Sequence, residues 1–296
     1  MNCARADDPQ SIAQALTCAK LHGVDRLDAQ LMLAALLGRP RSWLIAHDDD
    51  PLGQTQGAAF GQWLRRRRDG EPLAYLLGEK EFHGLRLQVD ASVLVPRPET
   101  ELLVDWGLRV LQTEPWASGC RVIDLGTGSG AIALSIKNGC RAAEVTAVDE
   151  SPTALATAGR NSQALNLPIT LAQGSWWAAV PAQCFDLALA NPPYIAPGDE
   201  HLAALRHEPQ SALIAQENGL ADLECIIAGA PDHLVPGGWL LLEHGHDQAA
   251  WARQRLSIAG FSEVQTVRDL AGIERCTGGR VLHAATSAFR VVSSAV

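Results

Sequence analysis

The run from Arg121 to Asp149 constrains this chain more than any other stretch. Arg121-Val122-Ile123-Asp124-Leu125 reads as a buried strand, Gly126-Thr127-Gly128-Ser129-Gly130 as a turn built on three glycines, and Ala131 to about Lys137 as a helix. A second strand, Glu144-Val145-Thr146-Ala147-Val148, then ends at Asp149. A strand, a glycine turn and a helix N-terminus let a ligand approach the backbone closely, because glycine adds no side chain and accepts positive φ. With Ala131 in last place, the turn also satisfies the dinucleotide fingerprint Gly-x-Gly-x-x-Gly/Ala, so a nicotinamide or flavin enzyme stays open at this step. Asp149 stands about 20 residues past the turn, where a carboxylate accepts from both hydroxyls of a ribose, whether the nucleoside belongs to NAD or to S-adenosylmethionine.

The same alternation continues to the end of the chain. Ser151-Pro152 caps a helix to about Leu165, Ile169 to Gln173 is a third strand, and Gly174-Ser175-Trp176-Trp177 follows at the cleft side. A tryptophan there can stack on an adenine or simply cover the sheet edge. The fourth strand, Phe185 to Ala190, delivers Asn191-Pro192-Pro193-Tyr194 just past its end, where open α/β sheets bind ligands. Pro192 and Pro193 fix φ, and Pro192 biases Asn191 towards extended geometry, so the segment presets its side chains and carbonyls as a cradle of acceptors. The plainer reading is a strand that stops at prolines. A helix from about Leu220 to Leu234, a turn at Pro236-Gly237-Gly238, a strand Trp239 to Glu243, a helix Gln248 to Ala259 and closing strands near Val264 to Val267 and Val281 to Ala285 complete a doubly wound sheet.

The first hundred residues have a different period. Ser11 to Leu21 is helical in pattern, Asp25 caps a second helix with Leu27, Leu31 and Ala34 on one face, Ser42 caps a short third, and Gln54 to Arg68 carries Phe60, Trp63 and Leu64. This predicts a bundle of four or five elements. Phe82, Leu85, Leu87 and Val89 then alternate around His83-Gly84 as a β-hairpin. The stiff junction Val95-Pro96-Arg97-Pro98-Glu99-Thr100-Glu101 leads into a helix with Leu102, Leu103, Trp106 and Val110. Its charges orient a loop over the cleft or serve as a plain helix start.

Composition excludes several classes. A net charge of −9 argues against a protein that chiefly grips nucleic-acid phosphates. The one basic run, Arg65 to Arg68, suits the C-terminal end of a helix, where cations complement the dipole. Seven cysteines without a Cys-x-x-Cys pair fit reduced, mostly buried thiols better than a disulfide framework or zinc site. His244 and His246 have no further ligand cluster near them in sequence, so no metal is expected. The acidic start leads into no long apolar core, and no apolar stretch reaches membrane-spanning length; the expectation is a cytoplasmic protein without a membrane segment.

Taken together, the residues resemble the peptide chain release factor N5-glutamine methyltransferase family (the HemK/PrmC type) over nearly the whole chain. The echoes are Tyr75-Leu76-Leu77-Gly78 with Phe82-His83-Gly84, Pro96 to Glu101, Asp124 to Gly130, Asn191-Pro192-Pro193-Tyr194-Ile195, Glu208-Pro209 with Ala212-Leu213, and Glu243-His244-Gly245 with Gln248. The glycine turn and the Asn-Pro-Pro-Tyr are shared with many amino-methylating enzymes, whereas the Pro96 to Glu101 junction and the helical front are more particular. The resemblance implies an α/β fold: a helical substrate-recognition domain over residues 1–78, a β-hairpin linker over 79–97, a seven-stranded, Rossmann-like class I methyltransferase domain over 98–286, and a flexible tail over 287–296. It implies S-adenosylmethionine as cofactor, held by Gly126, Thr127, Gly128, Ser129, Gly130, Asp149, Trp176 and Asn191. Asn191, Pro192, Pro193 and Tyr194 would hold the acceptor glutamine, with Asn191, Pro192 and Tyr194 catalytic. The implied substrate is the Gly-Gly-Gln glutamine of bacterial class I release factors, with a monomeric enzyme and no stable nucleic-acid binding. Two departures stand out: Ser175 where relatives often carry an acid, and Asn218 where an aspartate is usual, in what reads as a peripheral turn.

The chemistry stands beside that resemblance. A sulfonium methyl is already activated, so in-line positioning matters more than a strong base. An amide nitrogen is a poor nucleophile, and acceptors on its two N–H groups favour the polarised transition state. The Asn191 side-chain oxygen and the Pro192 carbonyl are two such acceptors, and Tyr194 would wall the pocket. A dehydrogenase has no use for that arrangement. Two alternatives remain: an adenine-N6 methyltransferase acting on DNA or RNA with the same turn, which would need a flipped base and a basic face, and a non-catalytic nucleotide-binding protein.

Overall fold

The computed structural model describes residues 9–114 and 119–282, and the tail expected at 287–296 lies outside the described residues. Its chain separates into two compact units, residues 9–80 with Val89–Ala91, and Glu81–Gln88 with the residues from Ser92 on.

The first unit contains helices α1 (Ile12–Leu21), α2 (Arg26–Leu37), α3 (Arg41–Ala46), α4 (Gln54–Arg68) and α5 (Leu73–Leu77). Ser11 and Asp25 cap α1 and α2 by accepting from Gln14 and Leu27 backbone N–H groups. The core gathers Ile12, Ala15, Met32, Leu33, Phe60 and Leu64, with Trp63 packed against it. The buried face of α2 is therefore not the one expected. Leu27 is 45% exposed, and Ala29, Met32 and Leu33, three and four residues apart, point inward instead. Pro40, not Ser42, precedes the first turn of α3, where its fixed φ suits a helix entry. The basic run closes α4 as expected. Arg66 pairs with Glu71, Arg67 with Asp28 and Arg68 with Asp69, which spends three of its four charges within the unit.

A hairpin, β1 (Glu79–Phe82) and β2 (Leu85–Gln88), turns at His83 and Gly84, both at positive φ as a two-residue hairpin turn requires. In the second unit, β3 (Arg121–Leu125), β4 (Glu144–Asp149), β5 (Thr170–Gln173), β6 (Phe185–Ala190), β7 (Leu234–Glu243), β8 (Phe261–Arg268) and β9 (Glu274–Val281) form one sheet in the order β5-β4-β3-β6-β7-β9-β8. β9 alone is reversed, pairing antiparallel with both β7 and β8, while the other pairs are parallel.

Residues along the central strands alternate between two cores. Val122, Leu187, Leu189 and Leu241 face one side with α6 (Glu101–Thr113) and α7 (Ala131–Gly139). Ile123, Ala188, Ala190 and Leu240 face the other with Trp177, α10 (Ala221–His233) and α11 (Ala249–Ile258). Strands buried on both faces read as continuous apolar runs, which is why β3 and β6 were visible in sequence. α8 (Pro152–Leu165) follows β4, and a single turn, α9 (Gln216–Gly219), precedes α10.

Three expectations need correction. β7 starts at Leu234, because the Pro236-Gly237-Gly238 stretch read as a turn continues the strand edge, with a register shift opposite Phe185 and Leu187. β9 begins at Glu274, since its partly polar N-terminal half, paired across to β7, gives no apolar signal. Among the six described cysteines, all with free thiols, only Cys120 and Cys276 are buried, while Cys184 and Cys225 are exposed. No helix among the described residues is long and apolar enough to cross a membrane, and no cluster there offers three metal-ligating side chains.

Candidate active site

A cavity of about 510 Å3 opens at the carboxyl ends of β3, β4 and β6, within the roughly 300–1,000 Å3 usual for small-molecule sites. Gly126, Gly128, Asp149, Trp176, Asn191 and Pro193 all line it. The glycine turn is pinned by Val148, whose carbonyl accepts from Gly126 at 2.9 Å and Thr127 at 2.8 Å. Gly126 stands at φ +78°, and a Cβ there would lie 3.1 Å from the Trp176 ring, so the indole rests directly on bare backbone.

Asp149 orders the next layer. One of its carboxylate oxygens accepts from Gly128 N–H at 2.8 Å and the other from Ser151 N–H at 2.9 Å, tying the turn to the start of α8. Burial raises its pKa, against the pull of these bonds. Beneath the turn, the fully buried Asp124 takes the Thr127 hydroxyl at 2.6 Å and Ala133 N–H at 3.1 Å through Oδ2, and burial pushes it up to about 7. Its Oδ1 has no partner among the described residues. Thr127, Ser129 and Gly130 do not line the cavity. Thr127 faces Asp124, the Ser129 carbonyl accepts from Asn161 Nδ2 at 2.9 Å, and Gly130 opens α7 at φ +84°.

The paired tryptophans divide their tasks. Trp177 is buried, donates from Nε1 to the Ile226 carbonyl at 2.9 Å and stacks on His233. Trp176 lines the cavity, and its indole N–H donates to Asp222 at 3.2 Å. Asp222 on α10 was not singled out in the sequence, and it supplies a carboxylate at this cavity although Ser175 does not.

On the acceptor side, Asn191 Nδ2 donates to the Thr100 hydroxyl at 3.1 Å, Pro192 is buried, and the Tyr194 hydroxyl donates to Glu243 at 3.4 Å. Burial raises the Tyr194 phenol above its usual value, and the nearby Glu243 adds to the effect. The Tyr194 carbonyl accepts from Gln248 Nε2 at 3.1 Å. A Cβ on Gly219, at φ +84°, would sit 2.2 Å from that carbonyl. The turn before it, where Glu217 and Asn218 stand at positive φ, is thus not peripheral: it packs under Tyr194. Ile195 bridges to Leu213 and Ala215 by backbone bonds of 3.0 Å, which gives the Ala212-Leu213 echo its physical reason. The Pro96 to Glu101 junction orients a loop, one of its two sequence readings. Arg97 pairs with the buried Glu208 at 2.5 Å, which also accepts from Val95 N–H, and this holds Ser92 to Leu94 against the cavity. Thr100 makes no side-chain cap. Asp222 had no role in the sequence reading; Thr100 entered it only within the helix-start junction, and Glu243 only as a strand end and in the Glu243-His244-Gly245 echo.

Comparison with known proteins finds two family models on the chain, the PrmC N-terminal domain over residues 10–78 and the methyltransferase small domain over residues 100–268. The release factor glutamine methyltransferase of Bordetella pertussis is 51% identical over 87% of this chain and 95% of that relative. Its counterpart in Salmonella typhimurium is 44% identical over 86% of this chain and 92% of that relative. Among solved structures, the T. thermophilus 16S rRNA N2 G1207 methyltransferase, in complex with AdoMet and guanosine, has a TM-score of 0.52 at 18% identity over 69% of this chain and 49% of that one, a likeness of fold.

Proposed function

The chain belongs to the release factor glutamine methyltransferase family, and we propose that it methylates the side-chain amide nitrogen, N5, of the glutamine in the Gly-Gly-Gln motif of bacterial class I peptide chain release factors. S-adenosylmethionine is the methyl donor. The observation that carries this reading is Asn191, held at the cavity wall by a bond from its own Nδ2, which leaves its side-chain oxygen as an acceptor beside the rigid Pro192-Pro193 backbone.

The residues present fit the donor. The cavity combines glycine backbone, the Asp149 carboxylate for ribose hydroxyls and the Trp176 face for an adenine. Gly126 and Gly128 would lie against the methionine part, while Thr127, Ser129 and Gly130 shape the turn from behind. When bound, the sulfonium supplies a methyl group already activated for transfer. The protein's own work is positional. Asn191 Oδ1 and the Pro192 carbonyl accept the two amide N–H groups of the substrate glutamine, which favours charge developing on its nitrogen. Pro193 stiffens the turn and the Tyr194 ring walls the glutamine's side.

The helical unit, spanning the match at residues 10–78, serves as a second contact for the release factor, because one glutamine buries too little surface for a selective protein complex. With a net charge of −9 and three of the four clustered arginines paired within their own unit, the enzyme works as a cytoplasmic monomer without stable nucleic-acid binding. Incubation with methyl-labelled S-adenosylmethionine and intact release factor tests the reading. One methyl on the Gly-Gly-Gln glutamine is expected by mass spectrometry, and label on adenine, or an unmodified factor while label enters another target, overturns it.

A further inference from the structure

Trp176 is held more firmly than a tryptophan that only covers a sheet edge needs to be. Its backbone stands at φ +46°, in the left-handed region that bulky side chains rarely occupy. The six-membered ring lies over the bare backbone of Gly126, and the indole N–H donates to Asp222 Oδ1 at 3.2 Å. One end of the side chain is thus seated on the glycine turn and the other is tied to α10. Asp222 is half-buried, lines the cavity, and takes no other hydrogen bond among the described residues. Burial raises its pKa, the indole bond draws it down, and Glu150, also at the cavity, adds to the rise. A carboxylate that is partly desolvated and holds one donor has acceptor capacity left for a ligand.

We propose that Asp222 selects adenine in the methyl-donor pocket, accepting the exocyclic amine of the base with Oδ2 while Oδ1 holds the Trp176 indole. An indole N–H points outward in the ring plane, so the carboxylate that accepts it stands at the edge of the ring. A base stacked on that indole brings its own edge, where its hydrogen-bonding groups lie, beside the same carboxylate. An ionised carboxylate can only accept, and among the edge groups of adenine the 6-amino group is the donor. A purine without a donor at C6 leaves that oxygen desolvated and unpaired. This inference rests on S-adenosylmethionine as the methyl donor and on Trp176 as the face for its adenine.

S-adenosylhomocysteine and its analogue with hydrogen in place of the 6-amino group separate the amine from the other contacts. By calorimetry on the full chain, the parent is expected to bind S-adenosylhomocysteine about tenfold or more tighter than the analogue, as a hydrogen bond to a charged group requires. Asp222→Asn keeps an oxygen for the indole N–H and turns an NH2 towards the amine. S-adenosylhomocysteine should then weaken to within about threefold of the analogue, whose own affinity should stay within about twofold of parental. A residue that merely steadied Trp176 would lower both affinities together. Asp222→Ala loses the indole anchor as well, so both ligands should weaken and the preference should still disappear; this variant decides the matter if Asp222→Asn does not fold. Glu150→Gln should keep the parental preference. A parental preference below about threefold, a preference that survives in Asp222→Asn or Asp222→Ala, or one lost in Glu150→Gln overturns Asp222 as the selecting residue. A parent that binds neither S-adenosylmethionine nor S-adenosylhomocysteine overturns the underlying reading instead, which keeps the two failures apart.

Discussion

Asp149→Asn probes how the cofactor side of the cleft is held. In the parent, each carboxylate oxygen accepts one backbone N–H, from Gly128 at 2.8 Å and Ser151 at 2.9 Å, while the group faces the cavity. An asparagine has one oxygen. Whichever N–H it satisfies, its NH2 turns onto the other, and an orphaned donor costs about 1–3 kcal/mol. Burial already disfavours the Asp149 charge in the free protein, so removing that charge returns part of the cost and folding stability should fall by less than this. Binding has no such offset, because the ribose hydroxyls lose a charged acceptor and either Gly128 or Ser151 loses the bond that ties the turn to α8. Affinity for S-adenosylmethionine should weaken by about 1–3 kcal/mol, roughly five- to 150-fold. Calorimetric titration gives the affinity and a urea melt the stability. Unchanged affinity in a folded variant, or a stability loss exceeding the affinity loss, refutes the reasoning.

Asn191→Ala should leave the S-adenosylmethionine Kd nearly unchanged and cut kcat by about tenfold or much more, since it removes an acceptor needed at the moment of attack; full turnover at saturating substrate would sink that role. Gly126→Ala should weaken cofactor binding, because a Cβ 3.1 Å from Trp176 at φ +78° forces the indole off the turn and adds roughly 1–2 kcal/mol of backbone strain; tryptophan fluorescence and a binding isotherm that match the parent would show the contact to be slack. Asp124 and Glu243 are both held up to about 7 in the folded chain against about 4 unfolded. The folded state therefore binds more protons in between, and the stability this contributes is full below about pH 4 and lost as pH rises through about 7. Urea midpoints of Glu243→Gln should fall less than the parent's between pH 5 and 8, and parallel curves would refute the assignment.

Wherever one physical signal dominated, the fold was legible. The central strands are buried on both faces, so β3, β4 and β6 appeared as apolar runs, and caps such as Ser11, Asp25 and Ser151 marked helix starts by their chemistry. Legibility failed where competing signals overlapped. In α2 nearly every position is apolar, so the pattern left its buried face undetermined, and exposure of Leu27 is decided by neighbouring helices. The polar stretch of β9 is a strand only because β7 and β8 pair with it. In the candidate site, Gly126, Asp149 and Asn191 were readable because each follows a recognisable strand. Thr100, Asp222 and Glu243 were not, because their roles arise from side chains that meet only after the sheet is wound.

That distribution bears on how the site can work. The acceptor turn is clamped by groups from separate segments: Thr100 on Asn191, Glu243 on the Tyr194 hydroxyl, Gln248 on the Tyr194 carbonyl, and a glycine at 219 because no Cβ fits there. Each clamp fixes a position, and apart from Glu243 none titrates near neutral pH. Gly245 N–H donates to Gln248 Oε1 at 2.9 Å, so even the clamp's own amide has its orientation set. A site built this way suits a reaction whose leaving group is already activated and whose nucleophile is weak, since what remains for the protein is to hold the nitrogen, its N–H groups and the donor in line. A turn held so tightly also has little freedom to adapt to a bulkier acceptor. Recognition of a slim amide side chain between flexible glycines follows from that rigidity more directly than capture of a flipped base, which would need a wider pocket and a basic surface to hold the strand around it.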